Sequence, residues 1–149
     1  MTTDQDWKQI TPGIQQAAFQ ELLGELDNDW DTLAEIATLF LQNAPLHVEG
    51  VSRANAAGNA AAAKGPAHSL KSSSASLGAL RLSKLCEAVE RQPALLPTLA
   101  AALAEEYEVV REDLIRRLPA LARGIRSRRK KPRRFLRSQS RTLLAISSS

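Results

Sequence analysis

The sequence predicts an all-α protein: an antiparallel four-helix bundle, up-down-up-down, with an additional N-terminal helix. Three observations carry that prediction. Apolar residues recur at helical spacings of three and four through most of the first 118 positions. Hydrophobic residues make up 44% of the chain but aromatics only 4%, and Ala and Leu, both good helix formers, dominate the apolar content. No segment shows the strict alternation of a half-buried strand.

The elements follow in order. Thr11-Pro12 reads as a cap with proline at the first helical position, and Ile14, Ala18, Leu22 and Leu26 form the stripe of a first helix. Asp27-Asn28-Asp29 ends it and caps the next. Trp30 to Asn43 carries Leu33, Ile36, Ala37, Phe40 and Leu41 on one face. Pro45 is expected to break the chain there, so Leu46 to Ala57 reads as a separate, weaker segment that stops at Gly58. Asn59 caps a helix running to about Ser76, with a local bend expected around Lys64-Gly65 because Pro66 removes one helical hydrogen bond. Gly78 restarts the chain. Leu82, Leu85, Cys86 and Val89 form the next stripe, which ends before Pro93. Leu96, Leu99, Leu103, Tyr107, Val110 and Leu114 mark a last long helix closed by Pro119. Each buried Leu contributes about 1.5–3 kcal/mol, so these stripes must pack together. A bundle that closes its own core predicts a monomer.

The charge divides the chain in two. Residues 1–119 hold ten Lys/Arg and sixteen Asp/Glu, 10 − 16 = −6, whereas residues 120–149 hold ten Lys/Arg and no acid. We therefore place a helical domain at 10–119 and a basic, disordered tail at 120–149. The high isoelectric point belongs to the tail, and the folded domain is not expected to bind a specific nucleic acid. SRRKKPRRF would suit an anionic surface, nucleic acid or membrane, as an alternative function; a flexible, solubilising extension is the plainer reading. The single cysteine, Cys86, forms no internal disulfide and points to a reducing, cytoplasmic setting. No apolar run approaches the roughly 20 residues of a transmembrane helix.

The chemistry gathers in PAHSLKSSSASLGA, residues 66–79. At 100° per residue, Ala63, Ala67, Leu70, Ser74 and Leu77 form the core-facing stripe and His68 lies opposite. Its helical neighbours are Lys64 at i−4, Lys71 at i+3, Ser72 at i+4 and Ala75 at i+7. This describes an exposed imidazole between two ammonium groups, with small residues that leave room for another protein. A neutral imidazole is a competent nucleophile, and the cations favour an anion once attached. The set suits accepting and donating a phosphoryl group. It does not suit a metal, because no second His, Cys or carboxylate stands at ligand spacing.

Other candidates have plainer readings. His47 reads as a surface residue at a helix terminus, Cys86 as a buried hydrophobe, and Trp7 and Trp30 as packing anchors. Glu105, Glu106 and Glu108 read as a solvated helix face. There is no glycine-rich phosphate loop and no Ser/His/Asp arrangement.

The stretch AHSLKSSSASLGALRLSKLCEAVE resembles the signature of histidine-containing phosphotransfer domains, A-H-x-L-K-G-S-S-x-x-L-G-A-x-x-L-x-x-L-C-x-x-L-E. It matches at Ala67, His68, Leu70, Lys71, Ser73, Ser74, Leu77, Gly78, Ala79, Leu82, Leu85, Cys86 and Glu90. LFLQNAP and LAEEYEVV extend the likeness over about residues 14 to 118. The resemblance implies that His68 is phosphorylated, through Nε2, that Lys71 supports the phosphoryl group, and that Gly78 allows the close turn between the two central helices. It implies a phosphorelay carrier rather than an enzyme. Its partners would be receiver domains of hybrid histidine kinases or response regulators, docking around Lys64, Ser72 and Ala75. It implies no cofactor on this chain, with Mg²⁺ held by the partner receiver alone. Ser72 stands where the family has glycine, and Val89 where it has leucine. A receiver-binding scaffold that carries no phosphate is the further alternative.

Overall fold

A computed structural model describes residues 6–119 and Leu121. Among these residues all regular structure is helical. A 3-10 turn at Asp6–Gln9 precedes α1 (Gln16–Glu25), α2 (Trp30–Ala56), α3 (Ala60–Leu77) and α4 (Leu80–Arg91). A second such turn, Pro93–Leu95, leads into α5 (Leu96–Arg117). α2 packs on α3 and α5, and α4 on the same two, so the four long helices close an antiparallel up-down-up-down ring. α1 is the additional N-terminal helix and lies against α3. The apolar stripes meet at the centre. Leu33, Ile36 and Val51 of α2, Leu70 and Leu77 of α3, Leu82 and Leu85 of α4, and Leu99, Leu103 and Leu114 of α5 are all buried.

The caps arise where the sequence places them. The Asp29 side chain accepts from Thr32 N at 3.1 Å, and that of Asn59 from Ala62 N at 3.2 Å, each occupying an amide with no partner in its helix. Gly78 ends α3 in the left-handed conformation, φ +90°. Its carbonyl accepts from Gln15 N at 2.8 Å. A Cβ at Gly78 would stand 3.3 Å from Ala18 Cβ, Gln15 O and Phe19 N. Glycine thus serves both the turn between α3 and α4 and the docking of α1.

Several expectations need correction. Pro45 does not break the chain: the two segments read around it form one 27-residue helix, α2. Pro45 faces solvent, where water can serve the Leu41 carbonyl that loses its helical partner. His47 therefore lies inside a helix, half-buried, and burial lowers its pKa. α3 runs through Pro66 as one helix, as expected, and the Pro66 ring occupies a space opened by Gly50. A Cβ there would come within 2.8 Å of Pro66 Cγ.

The second correction concerns the start of α1, which is Gln16 rather than Pro12. Residues 11–15 run across α5 as a strap. Gly13 N donates to Glu106 Oε2 at 2.7 Å and Ile14 N to Asp113 Oδ2 at 2.8 Å. Gly13 has φ +84°, and a Cβ there would fall 2.7 Å from Asp113 Oδ2. Arg117 closes the clasp with bonds to Asp113 Oδ1 and Ile14 O. Arg81 of α4 reaches Ile10 O at 2.8 Å and stands 5.1 Å above the Trp7 ring. Glu106 is thus buried, not part of the solvated face that Glu105 and Glu108 do form. Burial raises its pKa, against the Gly13 hydrogen bond and Arg81.

Third, of the two tryptophans Trp7 is a buried anchor, whereas Trp30 is 49% exposed and only tilts against Phe19. At the C-terminal end Leu118 and Leu121 are both buried, so the core reaches past residue 119. Apart from Leu121, the basic segment 120–149 lies outside the described residues.

Candidate functional site

The site is built by the hairpin of α3 and α4. Ala63, Ala67, Leu70, Ser74 and Leu77 are buried, as the stripe predicts, and this turns His68 outward. Its side chain is 55% exposed. Lys64 and Ala75 are exposed on the same face, and Ser72 is half-buried one turn beyond the ring. The serines mostly bond to their own helix. Ser73 Oγ donates to Leu70 O at 3.2 Å and Ser76 Oγ to Ser72 O at 3.1 Å. They therefore add little bulk beside His68. Ser83 Oγ of α4 donates to Lys71 O at 3.0 Å and ties the two helices together at this level.

Lys71 does not stand free beside the ring. Its ammonium donates to Glu90 Oε1 at 2.7 Å, while Glu90 Oε2 lies 3.0 Å from His68 Nδ1. One carboxylate from α4 thus holds both His68 and Lys71 of α3. Burial alone would raise the Glu90 pKa, but the hydrogen bonds from Lys71 and His68, with their charges, outweigh it and hold the carboxyl below its usual range. An ionised carboxylate only accepts, so the proton of the neutral ring must sit on Nδ1. Nε2 then carries the lone pair, on the exposed ring.

Glu90 lies within the motif, but the sequence alone assigns it no role. The signal was available. In an antiparallel hairpin turning at Gly78-Ala79, residues about equally distant from the turn meet. His68 lies ten before Gly78 and Glu90 twelve after it.

Cys86, beneath this site on α4, is fully buried, and burial, reinforced by Glu90, pushes its thiol far above the usual range. It packs in the apolar core. Among the described residues, no group of three His, Cys, Asp or Glu side chains could hold a metal ion. No helix among them is long and apolar enough to cross a membrane.

A ring of four antiparallel helices that presents one carboxylate-held imidazole to solvent defines a histidine phosphotransfer module. The chain belongs to the Hpt domain family: the family's model matches residues 35–113, from within α2 into α5. The match takes in His68, Lys71, Gly78 and Glu90, and leaves out α1 and the strap. No curated protein and no solved structure matches the chain. Hpt domains are phosphocarrier modules, and the role of this chain is histidine phosphotransfer in two-component signalling, where such domains interact with receiver domains.

Proposed function

We propose that this protein is a phosphorelay carrier, not a catalyst in its own right, that takes a phosphoryl group from a receiver-domain aspartate onto His68 Nε2 and passes it to another receiver. The observation that carries this reading is the exposed imidazole whose Nδ1 is engaged by an ionised carboxylate. That contact sets the tautomer, so the nucleophilic lone pair lies on the nitrogen a partner can approach.

Each residue has a part. His68 is the nucleophile. Lys71, one turn away, braces the transferred phosphoryl group electrostatically. Lys64, Ser72 and Ala75 form the face on which the receiver docks. Leu46 of α2, 67% exposed, is an apolar side chain open to a partner. A Mg²⁺ ion held by the receiver would offset phosphate charge during transfer, with no metal ligand or cofactor required of this chain. The carrier acts as a monomer in the cytoplasm, consistent with its one unpaired, buried cysteine.

The test is transfer from a phosphorylated receiver, followed as acid-labile, base-stable label. Label should appear on the wild type and be lost in His68→Gln. Label retained in His68→Gln refutes the site. Receiver binding unaffected by His68→Gln, with no label on either protein, would instead make the domain a scaffold.

A further inference from the structure

We propose that Lys71 changes partner with each phosphoryl visit. Glu90 holds its ammonium while His68 is unmodified and gives it up to the phosphoryl group once His68 carries one. The inference rests on the reading that His68 accepts the phosphoryl group, and it assigns Glu90 a role as a positioning residue.

The geometry sets up the exchange. Glu90 uses one oxygen for each partner: Oε1 receives Lys71 Nζ at 2.7 Å and Oε2 faces His68 Nδ1 at 3.0 Å. In the neutral form of the ring, the form that can attack, Lys71 is the only full positive charge in contact with Glu90, and the two neutralise each other. In the transfer step the Nε2 lone pair forms the N–P bond. The aspartyl O–P bond breaks, and the receiver carboxylate leaves with its electron pair. No proton moves, since Nδ1–H remains on Glu90. The ring becomes an imidazolium and gains a phosphoryl group carrying two negative charges.

Glu90 then faces a cation at Oε2 that was not there before. Its charge stays matched if Lys71 departs. The phosphoryl oxygens, one helical turn from Lys71, offer the ammonium a denser negative charge than a carboxylate already shared with an imidazolium. One ion pair, Lys71–Glu90, thus becomes two: His68–Glu90 and Lys71–phosphoryl. The lysine stem is long and freely rotating, so the swing needs no backbone movement. Lys64 makes no contact with Glu90 and lies on the other flank of His68 at i−4, so the exchange is particular to Lys71.

A double-mutant cycle on the transfer equilibrium tests this. The ratio of phosphorylated carrier to phosphorylated receiver is measured for the wild type, Glu90→Gln, Lys71→Ala and the double variant, with folding checked by circular dichroism. In the Lys71→Ala background, Glu90→Gln should lower the carrier's share, because only support of the imidazolium is lost. With Lys71 present, the same substitution also removes the competitor for its ammonium. The loss should then be about fivefold smaller, or reversed. Equal ratios in both backgrounds, with label on His68 intact, overturn the partner exchange and leave the carrier reading standing. Absence of label on His68 overturns the carrier reading, and the exchange with it. A measurement on the wild-type chain alone stands beside the cycle. After phosphorylation with phosphoramidate, the ¹⁵N resonance of the Lys71 ammonium should shift; an unmoved resonance overturns the exchange.

Discussion

Replacing Glu90 by alanine should unfix the tautomer of His68. In the wild type the Glu90 carboxylate accepts from Nδ1 at 3.0 Å, which leaves the lone pair on Nε2. A hydrogen bond to a charged acceptor contributes about 1.5–3 kcal/mol when shielded. The His68 side chain is 55% exposed, so screening by water reduces this to about 1 kcal/mol. That corresponds to roughly a fivefold change in the tautomer ratio. Only the Nδ1–H form can attack through Nε2, so the rate of accepting phosphoryl should fall by up to about fivefold through this cause alone. Long-range ¹H–¹⁵N correlation spectra of the ring report the tautomers directly, and single-turnover transfer from a phosphorylated receiver reports the rate. A wild-type ring protonated on Nε2 would refute the reasoning, as would a Glu90→Ala ring with an unchanged tautomer ratio and an unchanged rate.

Other outcomes follow from the rest of the bundle. Asp113→Ala leaves the buried Ile14 amide without its acceptor; it should cost about 1–3 kcal/mol and red-shift the Trp7 emission as the strap loosens, while transfer through His68 persists. Chemical denaturation and fluorescence measure both, and stability equal to the wild type would count against the clasp. Gly78→Ala forces a side chain into a left-handed turn at φ +90° with neighbours at 3.3 Å, and a loss of about 1–3 kcal/mol is expected in the same assay. Glu106 has its pKa raised in the folded chain, mainly by burial. Its protonated form therefore favours the folded state, and that contribution is lost as pH rises from the ordinary carboxylate range through the raised value. Glu106→Gln stays neutral and can still accept from Gly13, so its stability relative to the wild type should improve as pH rises above the ordinary carboxylate range; parallel stability curves would contradict this.

The α3 stripe, the outward histidine and the glycine turn were legible in the sequence because each depends on spacing within a few residues. Helical periodicity alone puts Leu70 and Ser74 inside and His68 outside, and the φ of +90° at Gly78 is a local demand that glycine meets. Pro45 was misread because a lone proline signals a break. Whether its cost is borne depends on which side of the finished bundle it faces, and that side is solvent. Glu106 sits among acids that look alike in sequence. Only the strap, arriving with Gly13 N from 93 positions away, makes one of them a buried acceptor. The pairing of Glu90 with His68 and Lys71 belongs to the same kind. The sequence by itself determined the helices, their inner faces and the exposed imidazole, since short-range geometry dictates these. Tertiary structure decided which ring nitrogen keeps its proton and where the lysine rests, because a carboxylate acts over a few ångströms and only the packed hairpin brings it that close.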